Sequence, residues 1–288
     1  MNDLIGTGVA LVTPFNEDRS VDFVSLKKLI NYVIDGGVDY LVVMGTTGES
    51  PTIAWEDQIE ILEKSIEYIR GRKPIVFGLG GNNTYAICEK SQVLSDYPVT
   101  AILSASPHYN RPSQKGILAH YEAIADSSPC PIILYNVPAR TASNIESGTS
   151  IALSKHDNII GLKEASGNLS QYKEIQNGVN SHFLMLSGDD SNALETIMIG
   201  GHGIISVAAN LIPEKFSSMV RSGLEGKYEE ASLLNEHMQN IYKLSVAEGN
   251  PTSIKTGLMC KEIIKGYMRL PLIEGSEELA SEFRAEMT

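Results

Sequence analysis

Lys163 closes the apolar run Asn158-Ile159-Ile160-Gly161-Leu162, so its amine would sit at the end of a buried strand with little water around it. Desolvation disfavours the charged form and lowers an amine's pKa. A neutral amine can attack a ketone to form an imine, which then acts as an electron sink for making or breaking carbon–carbon bonds. The competing reading is an ordinary strand-end lysine, paired with Glu164 and reaching past apolar neighbours to solvent. Tyr135 ends another apolar run, residues 131–135, and its phenol could pass protons while the imine forms and breaks. Thr46 and Tyr109 are hydroxyls that could extend that relay. Taken singly, each is better explained as a packed tyrosine or a threonine favouring a strand end; it is their co-location that favours chemistry. Arg140 follows a proline-containing turn just past Tyr135, where a guanidinium fork suits a substrate carboxylate or else makes a surface ion pair.

These residues need a scaffold that brings distant strand ends together. Short apolar runs rich in β-formers recur at residues 8–12, 40–44, 74–79, 99–103, 131–135, 158–163, 183–186 and 203–207. Between them lie stretches of helical period. Leu26, Leu29, Ile30, Val33 and Ile34 share a stripe that Gly36-Gly37 stops, and Trp55, Ile59, Leu62, Ile66 and Ile69 repeat the spacing. Runs that are continuously apolar, rather than alternating, belong to strands buried on both faces, as in a parallel sheet covered by helices. Eight βα units predict an α/β fold of the (β/α)8 TIM-barrel type over residues 1–224. Beyond about Gly223 the strand pattern ceases, and residues 225–288 read as a C-terminal helical extension, with helices over 227–246 and 253–264.

Active sites of such barrels gather at the C-terminal ends of the strands. The polar segments Gly45-Thr46-Thr47-Gly48-Glu49, residues 106–112, Tyr135-Asn136-Val137-Pro138-Ala139-Arg140 and Lys163-Glu164 all terminate runs, so they converge on one face. The turns at 78–82 and 187–190 are expected to supply walls and backbone hydrogen bonds there.

With 42% hydrophobic and 20% charged residues, the 288-residue chain is globular, and its net charge of −12 would repel a phosphate backbone or an anionic leaflet. Neither nucleic acid nor membrane is an expected partner. No basic N-terminal region precedes an apolar stretch, no run approaches the roughly 18 residues of a membrane span, and Cys88, Cys130 and Cys260 form no CxxC pair, so a reducing cytoplasm is expected. GxxxxGK[ST], HExxH and a GxGxxG after the first run are all missing, and the histidines are scattered, His202 lying between glycines; no metal or cofactor is expected.

The chain resembles the dihydrodipicolinate synthase (4-hydroxy-tetrahydrodipicolinate synthase) family of the class I aldolase superfamily, which also includes N-acetylneuraminate lyase. The likeness runs from Gly8-Val9-Ala10-Leu11-Val12-Thr13-Pro14-Phe15 to the C-terminal helices. It is most specific at Gly45-Thr46-Thr47-Gly48-Glu49, Tyr109-Asn110-Arg111-Pro112, Tyr135-Asn136-Val137-Pro138 with Arg140-Thr141, Gly161-Leu162-Lys163-Glu164-Ala165 and Ser187-Gly188-Asp189-Asp190. The resemblance implies condensation of pyruvate with L-aspartate 4-semialdehyde on Lys163, the first committed step of the diaminopimelate route to lysine. It further implies a proton relay of Tyr135, Thr46 and a Tyr109 that reaches across a tight dimer interface. Thr47 would hold the pyruvate carboxylate, Gly188 and Ile205 would lie beside the pyruvate, and Arg140 would receive the semialdehyde's carboxylate. Arg140 argues against the alternative of an aldolase for sialic or keto-deoxy sugar acids. A homotetramer built from two tight dimers is implied as well.

Many enzymes of the family bind lysine in a cleft at the tight dimer interface, which would here comprise Ser50, Pro51, Trp55, Gln58, Asn82, Ala86 and His108. Ala86 stands where a glutamate would pair with the effector's ammonium, and His108 stands in place of a tyrosine. A lost charge-assisted partner costs about 1.5–3 kcal/mol, so weak or absent inhibition by lysine is expected.

Overall fold

The computed structural model describes residues 2–287. Eight parallel strands close a barrel in sequence order: β1 (Gly6–Ala10), β2 (Tyr40–Val43), β3 (Ile75–Gly78), β4 (Ala101–Ala105), β5 (Ile132–Asn136), β6 (Ile159–Glu164), β7 (Leu184–Ser187) and β8 (Gly203–Ser206). Helices α1 (Phe23–Asp35), α2 (Trp55–Ile69), α3 (Thr84–Val93), α4 (Gln114–Ser127), α5 (Pro138–Thr141), α6 (Ser147–Leu153), α7 (Leu169–Gly178), α8 (Ala193–Met198) and α9 (Pro213–Leu224) follow or join them. The TIM-barrel expectation is met. Strand residues are buried on both faces, which explains the unbroken apolar runs.

Alternation along each strand divides the side chains between two layers. Val42, Val76, Leu103, Ile133, Tyr135, Leu186 and Ile205 fill the barrel interior. Leu41, Ile102, Leu134, Leu162 and Met185 pack outward against the helices. At α1 the expected stripe is buried at Leu26, Leu29, Ile30 and Val33, Asp22 caps the N-terminus by accepting from the Ser25 N–H, and Gly37 takes φ +86 at the end.

Some boundaries differ from expectation. β1 begins at Gly6, not residue 8, because pairing with β8 starts at Gly6↔Gly203. The helix expected over 227–246 is two: α10 (Tyr228–His237), which packs on α9, and α11 (Gln239–Leu244). They part at Met238, at φ −102 and ψ −3, whose side chain is buried in the core. The helix expected over 253–264 ends as α12 (Thr252–Cys260). Glu262 takes φ +57 and Ile263 N–H reaches back to the Leu258 carbonyl, so Ile263 and Ile264 are buried in a closing turn instead. A last helix, α13 (Glu277–Glu286), is capped by Ser276 and buries Leu279, Ala280 and Phe283. The core runs without a break from the helical layer into Met238, Ile241, Leu258 and Phe283.

Candidate active site

β5 and β6 pair with Tyr135 beside Lys163 and Asn136 beside Glu164. The pleat therefore sends Tyr135 and Lys163 into the barrel and Asn136 and Glu164 outward. Glu164 is fully engaged there: it accepts from Asn136 Nδ2 at 3.1 and 2.9 Å, from the Ser166 N–H at 2.7 Å and from Gln171 Nε2 at 3.0 Å. Pairing of Lys163 with Glu164 is thereby excluded.

Lys163 is 5% exposed, and its Nζ lies over the Tyr135 ring, 4.3 Å from the centroid. Among the described residues no hydrogen-bond or ion-pair partner holds that nitrogen. Burial pulls the amine down to about 8; Asp190 opposes this and the Arg140 guanidinium adds to it. Tyr135 is pushed the other way by burial, up to about 12, with Arg140 lowering it somewhat. At neutral pH it is a hydroxyl that can give or relay a proton, not a phenolate.

Thr46 and Thr47 lie on a single 3-10 turn, Thr46–Gly48, after β2. The loop is bracketed by two non-glycine residues in left-handed conformation, Met44 at φ +60 and Glu49 at φ +58. Such conformations persist where surrounding contacts hold them, and here the holding is done by Glu49. Its carboxylate is buried, bonded through Oε1 to Lys255 Nζ at 2.7 Å and through Oε2 to the Arg269 N–H at 3.1 Å. Lys255 also donates to the Thr13 carbonyl at 2.9 Å, and Thr13 Oγ1 donates to the Gly48 carbonyl at 2.6 Å. The C-terminal helices thus anchor the threonine turn.

A cavity of about 520 Å³ opens at the C-terminal face of the barrel, lined by Thr46, Thr47, Tyr135, Arg140, Lys163 and Gly188. Asp189 and Asp190 complete one wall, and Gln239, Tyr242 and Lys243 of α11, with Asn250, form another. Gly188 is a glycine for want of room: a Cβ there would stand 3.1 Å from Lys163 Cε and 2.5 Å from Ala165 Cβ. Arg140 is exposed, and its Nη2 donates to the Asn250 carbonyl at 3.2 Å. Ile205 is fully buried in the barrel interior, in one cluster with Tyr135 and Leu186, and does not line the cavity.

Tyr109 does not enter this cavity. It is 89% exposed, at φ +65, with its N–H bonded to the Thr141 carbonyl. Of the three hydroxyls expected to form a relay, a single chain brings only Thr46 and Tyr135 to the cavity. A neighbouring cavity of about 270 Å³ shares Thr46, Tyr135 and Arg140 and extends to Ser50, Pro51 and His108. Asn82 brackets the His108 backbone, accepting from its N–H at 2.8 Å and donating to its carbonyl at 2.9 Å. Trp55 instead meets Phe77 edge to face and Lys90, Gln58 Nε2 donates to the Ser50 and Ile53 carbonyls, and Ala86 lies in the first turn of α3; none of the three lines the cavity.

Sequence reasoning gave the turn that holds Asp190 only walls and backbone hydrogen bonds. Its Oδ1 accepts from Ser206 Oγ at 2.6 Å and its Oδ2 from the Ala208 N–H at 2.8 Å, holding a charge that acts on Lys163. Asn250, Lys243 and Lys255 lie in the segment read as helices outside the barrel, where no pattern marks them as site residues. Among the described residues no three His, Cys, Asp or Glu side chains converge as a metal site would require.

The Dihydrodipicolinate synthetase family model matches residues 3–288. This chain belongs to that family. It is 44% identical to the 4-hydroxy-tetrahydrodipicolinate synthase of Flavobacterium psychrophilum over 98% of this chain and 96% of that one. With the synthase of the same name from Cytophaga hutchinsonii it shares 43% identity, over 97% and 94% of the two chains. Among solved structures, the chloride-inhibited dihydrodipicolinate synthase from Acinetobacter baumannii complexed with pyruvate superimposes with a TM-score of 0.96 at 34% identity, over 99% of this chain and 98% of that chain.

Proposed function

We propose that this chain condenses pyruvate with L-aspartate 4-semialdehyde through an imine on Lys163, giving 4-hydroxy-tetrahydrodipicolinate and water, as the first committed step of the diaminopimelate route to lysine. The observation that carries this reading is a buried amine with a lowered pKa and no bonded partner among the described residues, facing a cavity beside a protonated tyrosine. The amine adds to C2 of pyruvate and water leaves, while Thr47 holds the pyruvate carboxylate. Loss of a proton from C3 gives an enamine, whose carbon attacks the aldehyde carbon as Arg140 holds the semialdehyde's carboxylate. Tyr135 and Thr46, completed by Tyr109 from a second copy, carry these protons and deliver one to the aldehyde oxygen. The adduct's own amine then attacks C2, the bond to Lys163 breaks, and the ring closes with the enzyme regenerated.

The exposed rings of Tyr85 and Tyr109 support assembly with further copies of the chain, as a tight dimer within a homotetramer. We read residues 225–288 as an extension that completes the site on a core shared with the barrel. A cytoplasmic setting is supported by three free cysteines. Ala86 and His108 support weak lysine inhibition, so turnover should be nearly unchanged at low-millimolar lysine. The deciding test is intact-protein mass after pyruvate and borohydride, with peptide mapping: one reduced pyruvate on Lys163 is expected, and folded protein with no adduct would overturn the mechanism.

A further inference from the structure

The semialdehyde of that reaction carries an α-ammonium as well as an α-carboxylate, and none of the residues named above receives it. Resting on that reading, we propose that Asn250 does, its side-chain carbonyl accepting from the ammonium while Arg140 takes the carboxylate. Asn250 lies between α11 and α12, on the wall of the larger cavity. Two of its polar groups are engaged: Nδ2 donates to Thr47 Oγ1 at 3.0 Å, and the backbone carbonyl accepts from Arg140 Nη2 at 3.2 Å. The third, Oδ1, is buried and has no donor among the described residues. Leaving a buried acceptor unpaired is costly, so a donor supplied by a ligand is worth more here than at the surface.

The placement fits an α-amino acid. One residue both steadies the guanidinium and offers an unpaired acceptor, and the two groups of an amino-acid head, sharing one carbon, need a cationic fork and an acceptor side by side. Asp189 and Asp190 on the same cavity add a field that favours a cation. A neutral carbonyl also suits the chemistry. A carboxylate in contact would stabilise the ammonium's charge and raise its pKa, yet this nitrogen must lose a proton before it can displace Lys163. Asn250 holds the group without fixing its proton.

The test compares Asn250→Leu and Asn250→Asp with the wild-type enzyme. It reads the KM for aspartate semialdehyde, the inhibition constant of succinic semialdehyde, which is the same aldehyde without the amine, and the rate of pyruvate imine trapping by borohydride. Asn250→Leu is expected to raise the semialdehyde KM about 10- to 100-fold, the range of a lost hydrogen bond to a charged group. Succinic semialdehyde inhibition and imine trapping should change only a few-fold. Asn250→Asp, which keeps the acceptor, should bind the semialdehyde nearly as well as wild type while slowing ring closure. An equal loss for both aldehydes, or a loss confined to imine trapping, overturns the proposal and leaves Asn250 positioning Thr47 alone. Asn250→Asp weakening the semialdehyde as much as Asn250→Leu also overturns it, since the amide nitrogen would then face a carboxylate. Wild-type enzyme that traps pyruvate yet turns over no aspartate semialdehyde overturns the underlying reading, and this assignment with it.

Discussion

Two lysines are buried among the described residues, and they have opposite fates. Lys163 and Lys255 are both desolvated, and burial draws both amines down to about 8. For Lys255 that value already includes the opposing pull of Glu49, bonded at 2.7 Å, and its remaining donors are spent on the Thr13 carbonyl and the face of Phe15. Lys163 has no such acceptor: it meets the face of Tyr135 and an open cavity, and Asp190 acts on it only as a charge held by Ser206 and backbone N–H groups. Burial alone therefore does not make a nucleophile. What distinguishes Lys163 is desolvation without a bonded counter-charge, together with space for a carbonyl carbon to approach.

The contrast can be broken most directly by Lys163→Ala. Turnover should fall by about 10⁴-fold or more, with the pyruvate adduct lost and the melting temperature hardly changed. A mutant that still turned over at a substantial fraction of wild type would dissolve the distinction. Tyr135→Phe comes next, with kcat lower by about 10²- to 10⁴-fold and pyruvate KM moving far less, as expected of a proton carrier. Steady-state kinetics at saturating semialdehyde would decide it.

Lys255→Met acts on stability instead. It strands the Glu49 carboxylate in the core, at a cost of about 3–5 kcal/mol, whereas adding Glu49→Gln should recover much of the loss. Chemical denaturation of the single and double variants would measure both, and a single variant costing under about 1 kcal/mol would show that the pair is not the anchor of the threonine turn.

The smallest effect is a shift along the pH axis. Borohydride trapping of the pyruvate imine should rise through a pKa of about 8 as Lys163 loses its proton. Asp190→Asn removes a charge that raises the Lys163 pKa, so the midpoint should move to lower pH. Movement to higher pH would mean that Asp190 acts on the amine in another way. The same lowered pKa has a sign for folding. Between about 8 and the unfolded value of 10.5 the unfolded chain binds more protons than the native one, so the Lys163 contribution makes stability rise with pH across that window.

Much of this was present in the sequence. Eight unbroken apolar runs alternating with helical stripes specify a covered parallel barrel, because strands buried on both faces have no reason to alternate. Placing polar residues at the ends of those runs brought Thr46, Thr47, Tyr135, Arg140 and Lys163 to one face, the turn at 187–190 brought Gly188 there, and all six line the cavity. Each owes its place to local order: a residue's distance from the end of its strand fixes its height, and the pleat fixes whether it points inward. Tyr109 was legible as a residue type at a strand-end segment, but one folded chain leaves it in solvent.

Tertiary structure decided the rest. That Lys163 is unpaired, although an acid follows it in sequence, depends on Asn136, Ser166 and Gln171 engaging Glu164 on the far side of the strand. That Glu49 anchors the threonine turn depends on Lys255, 206 residues away, and the wall facing Lys163 includes Asn250 and α11 from the segment beyond the barrel. Periodicity reports which face of an element is buried; it carries no information about which distant group shares that burial, because such pairing is fixed only when the elements pack.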